Sequence, residues 1–266
     1  MSLPEPQPTS IALVTGASSG IGEQFARQLA ARGHRVVLVA RREQRLAALA
    51  TELGGEERAV PVAADLAVPE DRDRLAARVQ ELGGEVDILI NCAGFGIYES
   101  FVSSGREREL TQARVLVEAP LDLMARYLPG MVARGRGTVI NVSSTAGFQG
   151  LPFNAGYAAA KGHMLLLSEG VHMEVRDRGV TVTAVCPGPV PSGFQEASDA
   201  GYFAARLPKF TFVSPERVAR DSLRAADRGK ISVIPGGPLV RMAYGPNRKL
   251  PRWAVLRVSK RMLARS

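Results

Sequence analysis

The fold of this chain is decided by one stretch near its start, Ile11-Ala-Leu-Val-Thr15-Gly-Ala-Ser-Ser-Gly20-Ile-Gly22. The apolar run Ile11–Thr15 is typical of a buried strand, and a helical pattern opens after the glycines. Glycines let the backbone approach a pyrophosphate, and a helix N-terminus adds free N–H groups and a favourable dipole. A glycine-rich turn alone often makes only a tight bend, but this strand–turn–helix context favours nucleotide binding. The candidate binding residues are Gly16, Ser18, Ser19, Gly20, Ile21 and Gly22.

Short apolar runs alternate with helical patterns along the first two-thirds of the chain, which is typical of βαβ units around a parallel sheet. The predicted strands are Ile11–Thr15, Arg35–Ala40, Ala59–Ala63, Asp87–Asn91, Gly137–Val142, Val180–Cys186 and Lys230–Ile234. The predicted helices are Gly20–Arg32, Glu43–Leu53, Pro69–Leu82, Arg108–Arg134, Ala155–Arg178 and Ser214–Asp227. This pattern predicts a single α/β domain with a doubly wound, seven-stranded parallel sheet and helices on both faces.

A chain of 266 residues is long enough for one large domain, and we find no repeat or long linker that would divide it. We expect a disordered N-terminal extension over residues 1–10 and the catalytic domain over 11–240. Regular patterning lapses after Pro187, so residues of about 189–213 are predicted to form a lid over the site. Residues 241–266 are predicted to form a basic amphipathic C-terminal segment.

The composition is ordinary for a soluble globular protein, with 45% hydrophobic and 23% charged residues. Two cysteines, Cys92 and Cys186, lack metal-ligand spacing, and three scattered histidines also argue against a metal site. No signal peptide and no apolar span of membrane length is visible. We therefore expect a cytoplasmic protein without a bound metal.

Positive charge is concentrated at the C-terminus. The net charge is +8, yet residues 228–266 hold ten Lys or Arg and no acidic residue, so the preceding part is close to neutral. Such a local excess does not indicate a nucleic-acid binder. The segment 251–266 has helical spacing with Trp253 and Leu256 on one side, which suits peripheral contact with an anionic membrane. Packing on a neighbouring subunit or on the substrate pocket is the alternative that we favour slightly.

A candidate catalytic set lies in the middle of the chain, at Ser144, Tyr157 and Lys161. Tyr157 and Lys161 are four residues apart, so they share one helix face. A phenol has a reference pKa of about 10, and a nearby cation lowers it, which makes the phenol a usable general acid or base. Ser144 follows an apolar strand and is placed to bond the same substrate oxygen. Taken alone, the Tyr–Lys spacing equally fits a solvated helix face.

The residues after the second predicted strand indicate which nicotinamide cofactor binds. NAD selection usually places a carboxylate here, whereas NADP requires a cation for its 2′-phosphate. Ala40 supplies no carboxylate, and Arg41 and Arg42 supply charge and paired donors. We therefore predict NADP(H), with solvated arginines at a helix start as the alternative.

Two further strand ends carry candidate cofactor residues. Asp65, followed by Leu66, is placed to accept a hydrogen bond from the adenine amino group. Asn91, Ala93 and Gly94 end the fourth predicted strand, where small residues permit close packing beside a cofactor. A helix cap or a strand-end turn is the alternative reading for each.

In this order and spacing, the elements resemble the classical short-chain dehydrogenase/reductase family from about Ile11 to Ile234. The resemblance is carried by Thr15-Gly-Ala-Ser-Ser-Gly-Ile-Gly22, Asp65, Asn91-x-Ala-Gly94, Ser144, Tyr157-x-x-x-Lys161 and Pro187-Gly188. It implies a Rossmann fold and frequent homodimers or homotetramers. The stretch Gly150-Leu-Pro-Phe-Asn154 is similar to hydroxysteroid dehydrogenases and to the ketoacyl-reductase-like branch.

The resemblance also implies residue roles. Tyr157 is expected to donate a proton to the carbonyl oxygen that Ser144 holds, while Lys161 lowers the tyrosine pKa and binds the nicotinamide ribose. The cofactor performs the hydride transfer. The residues expected along the nicotinamide are Pro187, Gly188, Val190 and Ser192.

One position departs from the family pattern. Alignment of the helix puts Leu116 where the family usually has a catalytic Asn, which is thought to anchor a water linking the lysine to solvent. Leucine cannot hydrogen-bond that water, so we expect reduced activity rather than none. Cys92, where a second Asn is frequent, is a smaller departure.

Aromatic residues near the expected pocket mouth favour a bulky hydrophobic carbonyl substrate, such as a long-chain 3-oxoacyl or steroid-like compound. These rings are Phe95, Phe148, Phe153, Phe194, Tyr202, Phe203 and Phe210, of which about half would merely pack the lid on the body. The sequence therefore predicts an NADPH-dependent carbonyl reductase. The alternative is a catalytically slow NADP-binding regulatory or membrane-associated homologue, suggested by Leu116 and the cationic tail.

Overall fold

One parallel sheet forms the centre of the molecule. A computed structural model describes residues 3–191, 211–245 and 251–263. Seven strands are present in these residues, in the order β3-β2-β1-β4-β5-β6-β7. They are β1 Ser10–Thr15, β2 Arg35–Ala40, β3 Ala59–Ala63, β4 Glu85–Asn91, β5 Gly137–Val142, β6 Val180–Val185 and β7 Ser232–Val233. All neighbouring strands run parallel, which confirms the predicted doubly wound sheet.

Helices cover both faces of this sheet. They are α1 Gly20–Ala31, α2 Glu43–Glu52, α3 Pro69–Glu81, α4 Arg106–Ala113, α5 Ala119–Ala133, α6 Ala155–Val175, α7 Pro215–Asp227, α8 Pro238–Tyr244 and α9 Arg252–Leu263. One core cluster joins the sheet to α1, α2 and α7, and includes Phe25, Leu46 and Leu223. A second cluster on the other face joins the sheet to α3, α5 and α6. Every residue of β1, β5 and β6 is buried because both faces are covered.

The order of the strands reverses between β1 and β4. From β1, the chain first builds outward through β2 and β3, and then returns to place β4 on the other side of β1. In open α/β sheets of this kind, ligands bind in the crevice outside the carboxyl ends of the strands at such a switch point. The glycine-rich stretch after β1 therefore lies at the expected place for a ligand.

The long helix predicted over Arg108–Arg134 is divided into two. It begins at Arg106, and a π-helical turn, Arg114–Glu118, separates α4 from α5. Pro120 has no N–H to donate to the carbonyl four residues earlier, which belongs to Leu116, and its ring crowds that carbonyl. The proline therefore explains why regular i to i−4 bonding fails here, and wide turns of this type are frequent at functional sites.

The start of the chain lies against the domain. Leu3 is 6% exposed, and its backbone N–H donates to Asp227 Oδ1 over 3.0 Å. This packing differs from the disordered extension expected for residues 1–10. The predicted lid falls mostly on residues 192–210, outside the described residues.

Candidate active site

A tight glycine turn connects β1 to α1. Gly16 has a φ of 71°, and a Cβ placed on it would lie 3.0 Å from the backbone of Ala93. A Cβ on Gly22 would lie 2.3 Å from the Gly16 carbonyl oxygen. Both positions therefore require glycine. The result is a backbone cradle at the N-terminus of α1 that fits a pyrophosphate.

Thr15 joins this turn to the end of β4, a role that sequence reasoning did not assign. Its hydroxyl donates to the Ile90 carbonyl over 3.1 Å and accepts from the backbone N–H groups of Cys92 and Ala93 at 2.9 and 3.1 Å. This single side chain sets the separation of the two strand ends. The predicted small residues after Asn91 thus border the cradle through their backbone.

Arg42 lies over the glycine turn. Its Nη2 donates to Ser18 Oγ over 2.8 Å and to Ser19 Oγ over 2.7 Å. Ser19, at the N-cap of α1, makes no side-chain cap bond. Arg41 is exposed and lies beside Arg42 in the chain. The structure thus brings the predicted arginine and serines together at the edge of the cradle.

Two predicted cofactor residues are engaged within the protein. Asp65 Oδ1 accepts the Ala67 N–H over 3.0 Å, and Leu66 is buried. The Asn91 amide donates to Asn141 Oδ1 over 2.8 Å between β4 and β5. For Asn91 the side chain therefore serves the sheet, which corrects the expectation that it packs at the cofactor edge.

The three candidate catalytic residues meet at the ends of β5 and α6. Ser144 follows β5 and hydrogen-bonds Tyr157, which is 8% exposed. Lys161 is 5% exposed, and its Nζ donates to the Val142 carbonyl over 2.7 Å. The same Nζ lies 5.6 Å from the centroid of the Tyr157 ring. The solvated-face alternative is excluded because the phenol and the ammonium are buried.

Burial controls the protonation of this set. Burial raises the pKa of Tyr157 above its usual range, with a further rise from Tyr98, while the hydrogen bond from Ser144 opposes it. Burial also lowers the pKa of Lys161 to about 8. The expected lowering of the tyrosine pKa by Lys161 is therefore not found, because desolvation outweighs it. Tyr157 is a neutral hydroxyl donor near neutral pH.

Leu116 closes the space beside the lysine. It is 1% exposed, lies in the π turn, and packs in one cluster with Tyr157 and Ala160. A Cβ on Gly94 would lie 2.6 Å from Leu116 Cδ2 and 3.8 Å from Lys161 Nζ. The interior side of the ammonium is thus lined by hydrocarbon where the family usually has an amide.

The segment after β6 borders the same crevice. The buried Pro187 accepts the Thr145 N–H over 3.0 Å, and the Ser144 hydroxyl lies 3.5 Å from the same carbonyl. Gly188 and Val190 are half-buried. Ser192, the remaining residue predicted along the nicotinamide, lies outside the described residues.

The predicted aromatic residues separate into two groups. Phe148 packs against Leu165, Ala184 and Cys186, so its ring serves the core. Phe95 and Phe153 are half-buried in the loops before α4 and α6. The predicted rings Phe194, Tyr202, Phe203 and Phe210 lie outside the described residues.

Sequence reasoning missed Tyr98 and Asn154. Tyr98 lies in the loop after β4 and hydrogen-bonds Asn154 at the start of α6, and its charge reaches Tyr157. Burial raises the pKa of Tyr98 to about 12. A polar residue three positions before Tyr157 was the available signal, because a helix brings it near the catalytic end.

No group of three or more His, Cys, Asp or Glu side chains is arranged to hold a metal within the described ranges. No helix in the described part of the chain combines the length and the hydropathy needed to span a membrane.

Comparisons with known proteins agree with this geometry. Residues 10–202 match the family model for short chain dehydrogenases. A granaticin polyketide synthase putative ketoacyl reductase from Streptomyces violaceoruber is 39% identical over 195 residues, covering 70% of each protein.

Solved structures share the whole architecture. A 7β-hydroxysteroid dehydrogenase superposes with a TM-score of 0.82 at 25% identity, covering 94% of this chain and 96% of its own. A short-chain dehydrogenase from Sphingobium yanoikuyae in complex with NADPH gives 0.78 at 31% identity, covering 96% and 94%. The buried Ser144, Tyr157 and Lys161 lie beside a glycine cradle in a fold that these enzymes share. On this evidence the chain belongs to the short-chain dehydrogenase/reductase family, and it is an oxidoreductase that uses a nicotinamide cofactor.

Proposed function

We propose that this protein is an NADPH-dependent carbonyl reductase that acts on a bulky hydrophobic ketone. The observation that carries the proposal is the burial of Ser144, Tyr157 and Lys161 together at the strand ends beside the glycine cradle. A buried, neutral phenol with a hydroxyl partner is suited to hold and protonate a carbonyl oxygen.

The chemistry divides between cofactor and protein. When bound, the nicotinamide supplies the hydride that reaches the carbonyl carbon. Ser144 and Tyr157 hold the carbonyl oxygen, and Tyr157 transfers its proton to that oxygen as the new C–H bond forms, which balances the reduction to an alcohol. A raised tyrosine pKa keeps this acid protonated and therefore favours reduction near neutral pH. Lys161 stabilises the phenolate that is left until a proton returns.

The cofactor preference follows from the arginines at the cradle. Arg42 is fixed by Ser18 and Ser19, and a guanidinium in this place suits the 2′-phosphate of NADPH. The Sphingobium relative was solved with NADPH. We extend this preference to the present chain.

The substrate proposal rests on the half-buried rings of Phe95 and Phe153 and on the relatives. One relative is named a ketoacyl reductase and another a hydroxysteroid dehydrogenase, and both names imply large apolar molecules for those proteins. An apolar pocket with a few convergent polar groups is the usual form of such a site.

The decisive experiment follows NADPH oxidation by the purified protein with 3-oxoacyl thioesters, ketosteroids and quinones. We expect turnover of at least one class, and Tyr157→Phe should lower kcat by about 10³-fold while NADPH binding persists. Tyr127→Phe is the matched control, because this phenol is also half-buried but lies on α5. No turnover of any bulky carbonyl would overturn the proposal.

A second candidate function is favoured by Leu116, namely an NADP-binding protein with slow catalysis. Leu116 lines the space beside Lys161 with hydrocarbon. That candidate predicts tight NADP(H) binding by calorimetry with negligible turnover. We favour catalysis because the complete Ser–Tyr–Lys set is present and assembled.

We further propose self-association through α5 and α6. An apolar groove of about 380 Å³ runs between these helices and is lined by residues such as Leu121, Leu128 and Val171. Leu121 is 39% exposed there. Light scattering should show a dimer or tetramer that Leu121→Glu weakens, whereas Leu239→Glu, on the exposed face of α8, should not.

We place the protein in the cytoplasm and propose peripheral membrane contact through α9. Trp253 is 70% exposed on this helix, and Arg257, Lys260 and Arg261 are exposed with it. Leu256 packs near Gly150, which ties the helix to the loop before α6. Sedimentation with anionic vesicles, but not with neutral ones, is the expected result, and equal recovery with both would contradict it.

A further inference from the structure

Asn154 gives up a favourable local interaction. It occupies the N-cap position of α6, but its side chain makes no capping hydrogen bond. Asparagine is among the best N-cap residues, and losing such a cap costs about 1 kcal/mol. The side chain is 3% exposed, and its Oδ1 is buried without a hydrogen-bond partner. A buried polar group in this state calls for an explanation, and functional sites are where such conflicts concentrate.

The backbone is strained immediately before this residue. Phe153 has a φ of 63°, and it is the one non-glycine residue with positive φ among those that the structure describes. Such a conformation costs on the order of 1 kcal/mol and persists where the surroundings impose it. Here the strained residue sets the direction in which Asn154 enters the helix.

The Asn154 side chain serves Tyr98 instead of the helix. Their hydrogen bond lowers the pKa of Tyr98, so the amide N–H donates to the phenolic oxygen. Burial prevails and raises the pKa of Tyr98 to about 12, which keeps its hydroxyl protonated near neutral pH. The charge of Tyr98 reaches Tyr157, so the two phenols lie near each other at the mouth of the site.

We propose that Tyr98, oriented by Asn154, determines specificity by donating a hydrogen bond to a second oxygen of the substrate, next to the carbonyl that Tyr157 protonates. Two neighbouring phenols match a 1,3-dicarbonyl compound, such as a 3-oxoacyl ester or thioester. A monoketone of steroid type offers one oxygen to two donors, and a polar group left unmatched at a closed site costs binding. This inference rests on the proposed reductase function and narrows its substrate class.

The test compares two probes of equal chain length, ethyl 3-oxooctanoate and 3-octanone. We expect Tyr98→Phe to lower kcat/KM about tenfold for the oxoester and to leave the value for the ketone within twofold. Asn154→Ala should reduce the same ratio, because the hydroxyl loses its orientation. Tyr127→Phe, which removes a buried hydroxyl on α5, should change neither value.

The outcomes separate this inference from the proposed function. Equal losses for both probes in Tyr98→Phe would overturn the specificity role, since a structural defect or a general effect on Tyr157 acts on every substrate. Thermal unfolding of each variant shows whether folding is retained, and loss of discrimination in a folded variant supports the proposal. Wild-type protein that reduces neither probe nor any other bulky carbonyl would remove the proposed function itself, and this inference with it.

Discussion

The two sides of the crevice hold their ligands by different means. On the β1 side, the contact surface is backbone, because Gly16 and Gly22 leave no room for a Cβ. On the β5 side, the chemistry depends on buried side chains, namely Tyr157 and Lys161. A backbone surface is fixed by sterics, whereas the behaviour of a buried side chain depends on every group around it. The first side can therefore be predicted from residue types, and the second requires the packed structure.

The largest expected effect breaks the backbone side. Gly22→Ala places a methyl 2.3 Å from the Gly16 carbonyl, so the cradle must open and NADPH binding should fall below detection by calorimetry. Gly170→Ala on α6 is the control, because a Cβ there meets nothing within 4 Å. It should leave binding unchanged and stabilise the helix by about 0.5–1 kcal/mol. Retained binding in Gly22→Ala would show that the turn is not a close-contact surface.

The next effect sharpens the same side by separating charge from shape. Arg42→Ala should weaken NADPH binding by roughly 30-fold and NADH binding by much less, because only the former carries the 2′-phosphate. Arg45→Ala, which removes an exposed arginine of α2, should affect neither cofactor. Equal losses for NADPH and NADH would remove the assignment of Arg42. The measurement is the pair of dissociation constants for each variant.

A smaller effect is expected on the side-chain half. Leu116→Asn should raise kcat roughly three- to tenfold, because an amide restores a hydrogen-bonding group beside Lys161. Leu116→Met keeps the site apolar and should leave kcat unchanged. No gain in a folded Leu116→Asn variant would favour the slow NADP-binding protein over an enzyme with an impaired relay.

The smallest effect concerns stability against pH. The pKa of Lys161 is lowered to about 8 from 10.5, so the unfolded chain binds more protons than the native one between these values. The free energy of unfolding should therefore rise as pH increases from about 8. Cys92, whose pKa is raised from 9.0 to about 12, opposes this trend above pH 9. Urea titrations between pH 8 and 9 should show the rise, and it should vanish in Lys161→Met but not in Lys260→Met.

The same contrast explains what could be predicted from the sequence. The bounds of β2, β3 and β5 follow from apolar runs between glycines and helical patterns, because local pattern and tertiary burial agree there. The helix over Arg108–Arg134 was wrong in its continuity, since the effect of Pro120 was not weighed. The glycine cradle was correctly located because its requirement is steric.

Within the site, residue identity was predicted more readily than behaviour. Ser144, Tyr157 and Lys161 lie together as expected, but the sign of the tyrosine pKa shift depends on burial that no spacing reveals. Asn91 turns into the sheet because the register with β5 places another amide opposite it. Tyr98 and Asn154 come from loops far apart in the chain, so only the fold could bring them together.

The pair formed by Asn91 and Asn141 has a consequence for how the molecule assembles. These residues face each other across β4 and β5, and the Asn141 amide also donates to Ser168 on α6 over 2.9 Å. A slip of one position between the two strands would strand both amides in a dry interior, at about 1–3 kcal/mol for each group left unsatisfied. Misaligned pairing is thereby penalised during folding, so the loops that follow β4 and β5 emerge level with one another before any ligand arrives.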